Sequence, residues 1–184
     1  TPLQAIRAAL STDGTQLQRY PLTIRQAADP AATFIVNTIL QETMRFGTGQ
    51  SAYAFLPYDW SVVGKTGTTN DLRDSWFAGF SGDYLSVVWV GRDDNKTAGL
   101  TGSAGALQIW AETMKQISKQ PVILVPPDDI EMTWIDPENG LRANERCFGA
   151  RLYPYISGSA PQQYSPCVTS ATYRSRPWYD RFFP

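Results

Sequence analysis

Gly64-Lys65-Thr66-Gly67-Thr68 follows Val62-Val63 with no intervening loop. β-Branched residues suit a pleated, half-buried surface, so the lysine is predicted to project from a strand rather than to open a helix. The chain holds four lysines, Lys65, Lys96, Lys115 and Lys119, and the last three fall in stretches that read as solvated. Lys65 is different: a cation flanked by hydroxyls and by Gly67, which has no side chain, is suited to receiving a carboxylate beside an exposed backbone edge.

Outward from this stretch, the pattern predicts strands over 60–69, 75–80 and 84–90, with Ser81-Gly82-Asp83 as the tight turn between the last two. Successive strands with short connections imply an antiparallel meander, whose Trp76, Phe77, Phe80, Tyr84 and Trp89 read as sheet packing. A helix is predicted over 103–119, with Leu107, Trp110, Met114 and Ile117 on one stripe. Upstream, Asp29-Pro30 reads as an N-cap and a first-turn proline. The helix they open places Phe34, Ile35, Ile39 and Met44 on a core-facing stripe, and Gly47 stops it. Residues 1–22 read as a hairpin turning at Ser11-Thr12-Asp13-Gly14, with a helix through Leu3, Ile6 and Leu10 as the alternative. The expected fold class is therefore α+β, an antiparallel sheet with packed helices.

Lys-Thr-Gly is a signature of penicillin-recognising serine acyltransferases. Several further blocks stand in order with it: Gly47-Thr48-Gly49-Gln50-Ser51-Ala52, Val63 to Asn70, Asp74-Ser75-Trp76-Phe77-Ala78-Gly79-Phe80, Trp89-Val90-Gly91-Arg92-Asp93-Asp94-Asn95, and Gly102-Ser103-Ala104-Gly105-Ala106. Together they resemble the C-terminal half of the transpeptidase domain of class A penicillin-binding proteins, the bifunctional cell-wall synthases of bacteria.

That resemblance implies a peptidoglycan D,D-transpeptidase: a serine attacks the stem peptide at D-Ala-D-Ala, D-alanine leaves, and a neighbouring amine takes the acyl group. β-Lactam antibiotics enter by the same route. It implies catalytic roles for Lys65 and Thr68, and substrate contacts from Thr66, Gly67, Thr68 and Thr69. The Thr68 backbone N–H would form half of an oxyanion hole, and Lys65 would act as a fixed positive charge. Asp74 is read as a partner for Arg73 or a turn cap, with no catalytic role.

The nucleophile's Ser-x-x-Lys is absent from these residues, as is Ser-x-Asn. Both are expected upstream in the same polypeptide, alongside a glycosyltransferase domain, so the chain alone is expected to be inactive. The implied location is the periplasmic face of the bacterial inner membrane, with the anchor outside these residues and a cell-envelope activator as an implied partner. No apolar run approaches the ~20 residues that a membrane-crossing helix needs.

Composition narrows the rest. With 42% apolar and 18% charged residues, the chain reads as globular. A net charge of -1 supplies no basic field for nucleic acid. The absence of histidine excludes Ser-His-Asp and Cys-His catalysis and any histidine-bound metal within these residues, and no cofactor is expected. Cys147 and Cys167 lie in a loop-rich stretch, and the implied extracytoplasmic location favours a disulfide between them over two unrelated thiols.

The division expected is 1–120 for the transpeptidase part and 121–184 for a small loop-rich extension. Pro126-Pro127 interrupts structure there, and Trp134 to Leu141 reads as a small hairpin whose turn ends in Gly140. The tail Arg176-Pro177-Trp178-Tyr179-Asp180-Arg181-Phe182-Phe183-Pro184 reads as folded back onto the domain, or as a docking surface.

Three other readings compete with this one. A nucleotide-binding loop requires a glycine where Asp59 stands, and a loop where a strand is predicted. A serine β-lactamase or D,D-carboxypeptidase shares Lys-Thr-Gly, but the Gly47-Thr48-Gly49 block and the long tail disfavour it. A non-catalytic penicillin-binding-like sensor or scaffold is the remaining alternative, and the upstream Ser-x-x-Lys would distinguish it.

Overall fold

The computed structural model describes residues 6–20 and 26–169. Ala8–Leu10 (β1) and Gln16–Arg19 (β2) form an antiparallel hairpin, so the hairpin reading holds for the described part of that segment. The Asp13 carboxylate accepts from Ser11 and from the Thr15 N–H, which closes the turn.

Pro30–Phe46 forms α1, and the expected cap is in place: the Asp29 side chain accepts the Ala32 N–H at 2.8 Å. Phe34 and Met44 are buried on its inner face, whereas Ile39 is 58% exposed. The core-facing stripe is thus narrower than the sequence suggested. Helical period marks which residues share a face, not what covers that face.

Val63–Thr68 (β3), Ser75–Phe80 (β4) and Leu85–Val90 (β5) form the expected antiparallel meander in the order β3-β4-β5. β3 starts later than residue 60 because the Ser61 carbonyl is taken by the Val122 N–H and the Trp60 N–H by Pro57. Ser81 closes the β4–β5 turn on Tyr84. Ala106–Ile117 (α2) lies over one face of this sheet. Leu107, Trp110 and Met114 are fully buried there, while Ile117, at the end of the stripe, is exposed.

One core cluster joins α1, α2, the 3-10 turn Gln50–Ala54 and the sheet through Met44, Ala52, Leu56, Val62, Phe77 and Trp110. The Phe77 and Trp110 rings lie 4.8 Å apart. Room for Phe77 comes from Gly64 and Gly79, which face each other in register. A Cβ on either would sit 2.4 or 2.6 Å from that ring. By contrast, Trp76, Trp89, Leu85 and Val87 are exposed on the opposite face. Trp76 and Trp89 nevertheless pack on each other across β4 and β5, with ring centroids 6.1 Å apart, so the sheet-packing expectation holds for that pair, whereas Tyr84 stands exposed at the turn.

Further on, Ile130–Ile135 (β6) pairs with Arg151–Ile156 (β7) as a separate antiparallel ladder. The turn ending at Gly140 is present, since the Gly140 N–H donates to Asp136, but the main partner of β6 is β7. Only a single bridge, Ile135 to Arg142, fits the expected small hairpin. Cys147 and Cys167 are joined by a disulfide. Arg151 ties this module to α1 through Glu42 at 3.3 Å and through the face of Phe46. The tail over 176–184 lies outside the described residues.

Candidate functional site

Lys65, Thr66, Gly67 and Thr68 occupy the sheet edge, since β3 pairs only with β4 among the described residues. Side chains alternate along a strand, so opposite residues share a face. Gly64, Thr66 and Thr68 therefore share the α2 side with Phe77 and Ser75, while Lys65 and Gly67 share the outer side with Ala78 and Trp76.

Backbone groups alternate as well. The Thr69 N–H donates to the Asp74 carbonyl at 3.2 Å, toward β4. The peptide groups of Gly67 and Lys65 consequently point toward β4, and those of Thr66 and Thr68 point to the open edge. Two main-chain N–H groups thus face outward beside the lysine.

The Lys65 side chain folds over that edge. Its Nζ donates to the Thr66 carbonyl at 3.0 Å and to Thr66 Oγ1 at 3.3 Å. An ammonium carries three donors, so one remains for a ligand. Thr66 Oγ1 also meets Thr48 Oγ1 at 2.8 Å. Thr48 follows α1 in a segment that Arg45 holds down: the guanidinium donates to the Tyr58 and Trp60 carbonyls and lies 4.5 Å from the Tyr53 ring centroid. Thr48 lies in the Gly47-Thr48-Gly49 block, and nothing in the sequence alone marks it as a partner of Thr66.

Thr68 Oγ1 accepts the Gly102 N–H at 2.9 Å. Its hydroxyl hydrogen stays available to a ligand at the edge. Thr69 is committed differently: Thr69 Oγ1 donates to the Asp74 carboxylate at 3.0 Å and accepts the Asp74 N–H at 2.8 Å. Asp74 also accepts the Trp89 indole N–H at 2.9 Å, whereas Arg73 pairs with Asp71. Asp74 caps the β3–β4 connection, and the alternative of an Arg73 partner is corrected. Within that connection Asp71 and Leu72 both have positive φ. The Leu72 carbonyl is held by the Ala98 and Gly99 N–H groups, contacts that offset the backbone cost.

Among the described residues no His, Cys, Asp and Glu side chains cluster as a metal site. No described helix is long and apolar enough to cross a membrane.

No family profile matches the chain. Penicillin-binding protein 1B of Escherichia coli (strain K12) is 37% identical over 162 residues, which is 88% of this chain and 18% of that protein. The Vibrio cholerae protein of the same name is 36% identical over 129 residues, 70% of this chain and 16% of its own length. Penicillin-binding protein 1A of Pseudomonas aeruginosa is 36% identical over 145 residues, 77% and 17% respectively. The chain thus spans less than a fifth of the length of these relatives. The crystal structure of penicillin-binding protein 1A from Haemophilus influenzae matches with a TM-score of 0.68 at 22% identity, over 86% of this chain and 30% of that one. The fold is shared.

Proposed function

The chain is homologous to the class A penicillin-binding proteins, and from that premise we propose that it is the C-terminal part of a peptidoglycan D,D-transpeptidase domain. Its β3 edge receives the substrate, and the nucleophilic serine is supplied by an upstream part of the same polypeptide. The observation that carries this reading is the pair of outward N–H groups, Thr66 and Thr68, beside the Lys65 ammonium.

In this reading the stem peptide lies along β3 as an added antiparallel strand, held by main-chain hydrogen bonds. The serine hydroxyl attacks the carbonyl of the penultimate D-alanine, an ester forms, and D-alanine leaves with the proton as its amine. An acceptor amine then attacks the ester and restores the serine. The Thr68 N–H donates to the oxyanion of both tetrahedral intermediates. Lys65 attracts the terminal carboxylate, with the Thr66 and Thr68 hydroxyls at hand. A β-lactam follows the first half: its ring amide opens onto the serine, and the amine stays tethered.

The exposed outer face with Trp76 and Trp89 suits packing by the upstream part. The site would act on the periplasmic side of the inner membrane, where Cys147 and Cys167 can be oxidised. The test is labelling with a fluorescent penicillin. The parent polypeptide should take up one acyl group on a serine outside this chain, and residues 1–184 alone should take up none. An adduct on a serine of this chain, or a parent that never labels, would overturn the reading; the second outcome would favour a non-catalytic module.

A further inference from the structure

Thr68 and Ser75 face each other at the end of the β3–β4 ladder, and both are bound by one segment, residues 101–105. Thr68 Oγ1 accepts the Gly102 N–H at 2.9 Å. Ser75, fully buried, donates to the Thr101 carbonyl at 2.8 Å and accepts the Ala106 N–H at 2.9 Å. The Gly102 carbonyl in turn accepts the Leu107 N–H at 2.9 Å, and Leu107 is fully buried in α2. A continuous path therefore runs from the rigid core through Gly102 to the last residue of the edge strand.

We propose that Gly102 is a positioning residue for acylation: the 101–105 segment is a backstop that fixes where the outward Thr68 N–H points. This rests on the reading of β3 as the acylation edge. Thr68 needs such support because it is exposed, ends its strand and has no neighbouring strand on its open side among the described residues. An oxyanion donor works only when held at hydrogen-bond distance from where charge develops. A 1 Å displacement can cost on the order of a hundredfold in rate.

Gly102 is also the residue that the approach demands. A Cβ there would stand 2.7 Å from the Gly67 carbonyl oxygen, 2.8 Å from the Trp76 carbonyl oxygen and 2.9 Å from the Thr66 Cβ. Two of these atoms are backbone, which cannot rotate away. Any side chain at 102 must lift the segment off β3 and release Thr68. A segment that served only to glue the sheet to α2 would lower the folded fraction when perturbed. A backstop instead lowers the chemical rate of molecules that remain folded.

The experiment uses the full parent polypeptide and a chromogenic β-lactam, with active-site content titrated for each variant. Gly102→Ala should lower the acylation rate constant per active molecule by about tenfold or more. The dissociation constant of the noncovalent complex should stay within about threefold, because the oxyanion forms only after binding. Thr68→Val, which removes the acceptor of the Gly102 N–H and is isosteric, should fall in the same direction, with Thr68→Ser between it and the parent. The double variant Gly102→Ala/Thr68→Val should lose less than the product of the two single effects, since both break the Gly102–Thr68 link and only the hydroxyl's contact with the ligand carboxylate, read in the dissociation constant, is separate. The backstop is overturned if Gly102→Ala acylates at the parental rate. It is equally overturned if the two effects multiply, or if the loss appears only as fewer active molecules. Should Gly102→Ala fail to fold, Thr68→Val decides: a parental acylation rate overturns the proposal. Lys65→Ala acylating at the parental rate would instead sink the underlying assignment of the edge.

Discussion

The hydroxyls of Thr48 and Thr66 lie 2.8 Å apart, and this contact couples the segment after α1 to the edge strand. Thr66 Oγ1 also receives Lys65 Nζ, so the orientation of the ammonium depends on a residue seventeen positions upstream in sequence. Thr48→Val keeps the shape and removes the hydrogen bond. A neutral hydrogen bond is worth about 1 kcal/mol, so β-lactam acylation by the parent polypeptide should slow by roughly three- to tenfold. Thermal stability should barely move, because Thr48 is exposed. An unchanged acylation rate would leave the contact with no part in positioning Lys65.

Lys65 and Thr68 should differ in kind when replaced. Lys65→Ala removes the charge that receives a carboxylate, at a cost of about 1.5–3 kcal/mol, or roughly ten- to a hundredfold in acylation. The fold should persist, because an exposed lysine at a strand edge packs little. Thr68→Pro should be worse than Thr68→Val, since proline deletes the main-chain N–H and valine does not. Rates with a chromogenic β-lactam read this order directly. Survival of Thr68→Pro would show that the N–H is not used.

The meander was legible because its signals are local: β-branched and aromatic runs bounded by Ser81-Gly82-Asp83 and by the turn over 69–74. The cap at Asp29-Pro30 was legible for the same reason. What the sequence hid depends on register and distance. Asp74 meets Trp89 only because β4 and β5 pair Trp76 with Trp89. Thr68 meets Gly102 across 34 positions, and nothing in either residue signals the other. Likewise β6 finds β7 rather than the nearer segment after Gly140. The Lys65-to-Thr69 candidates fall together because they are consecutive, whereas Thr48 and Gly102 had to be brought to them by the fold.

The Cys147–Cys167 bridge closes a loop across 20 positions inside the β6–β7 module. On the chain-entropy view such a loop is worth about 3 kcal/mol. Replacing both cysteines with serine should therefore lower the melting transition of this module and leave penicillin labelling of the parent largely intact, because the bridge packs in a cluster with Ala143, Ala150 and Trp134 that includes no residue of β3. Non-reducing peptide mapping of protein made in an oxidising compartment should recover the two cysteines in one linked species. Recovery of both as thiols would count against the bridge and against an extracytoplasmic location together.

Asp136 gives the module a pH dependence whose sign is fixed by its hydrogen bonds. Its carboxylate accepts from Ser165 Oγ at 2.7 Å, from the Asn139 side chain at 2.9 Å and from the Glu138 N–H at 3.0 Å. Donors aimed at the charged form, Ser165 first among them, hold its pKa below the ordinary aspartate value of about 3.8. In the unfolded chain the group titrates near that ordinary value. Between the two values the unfolded state binds the proton and the folded state does not. The stabilisation is therefore complete above the ordinary value and is lost as the pH falls through the depressed one. Asp83 and Asp94 are also held low, by Ser118 and by Arg92, so the parent's acid sensitivity has several sources. Comparison with Asp136→Asn isolates one of them. That variant should be less stable at pH 7, and its melting temperature should fall less steeply than the parent's as the pH drops below about 4. Parallel melting curves for the two proteins across that window would show that the Ser165 and Asn139 contacts do not favour the carboxylate.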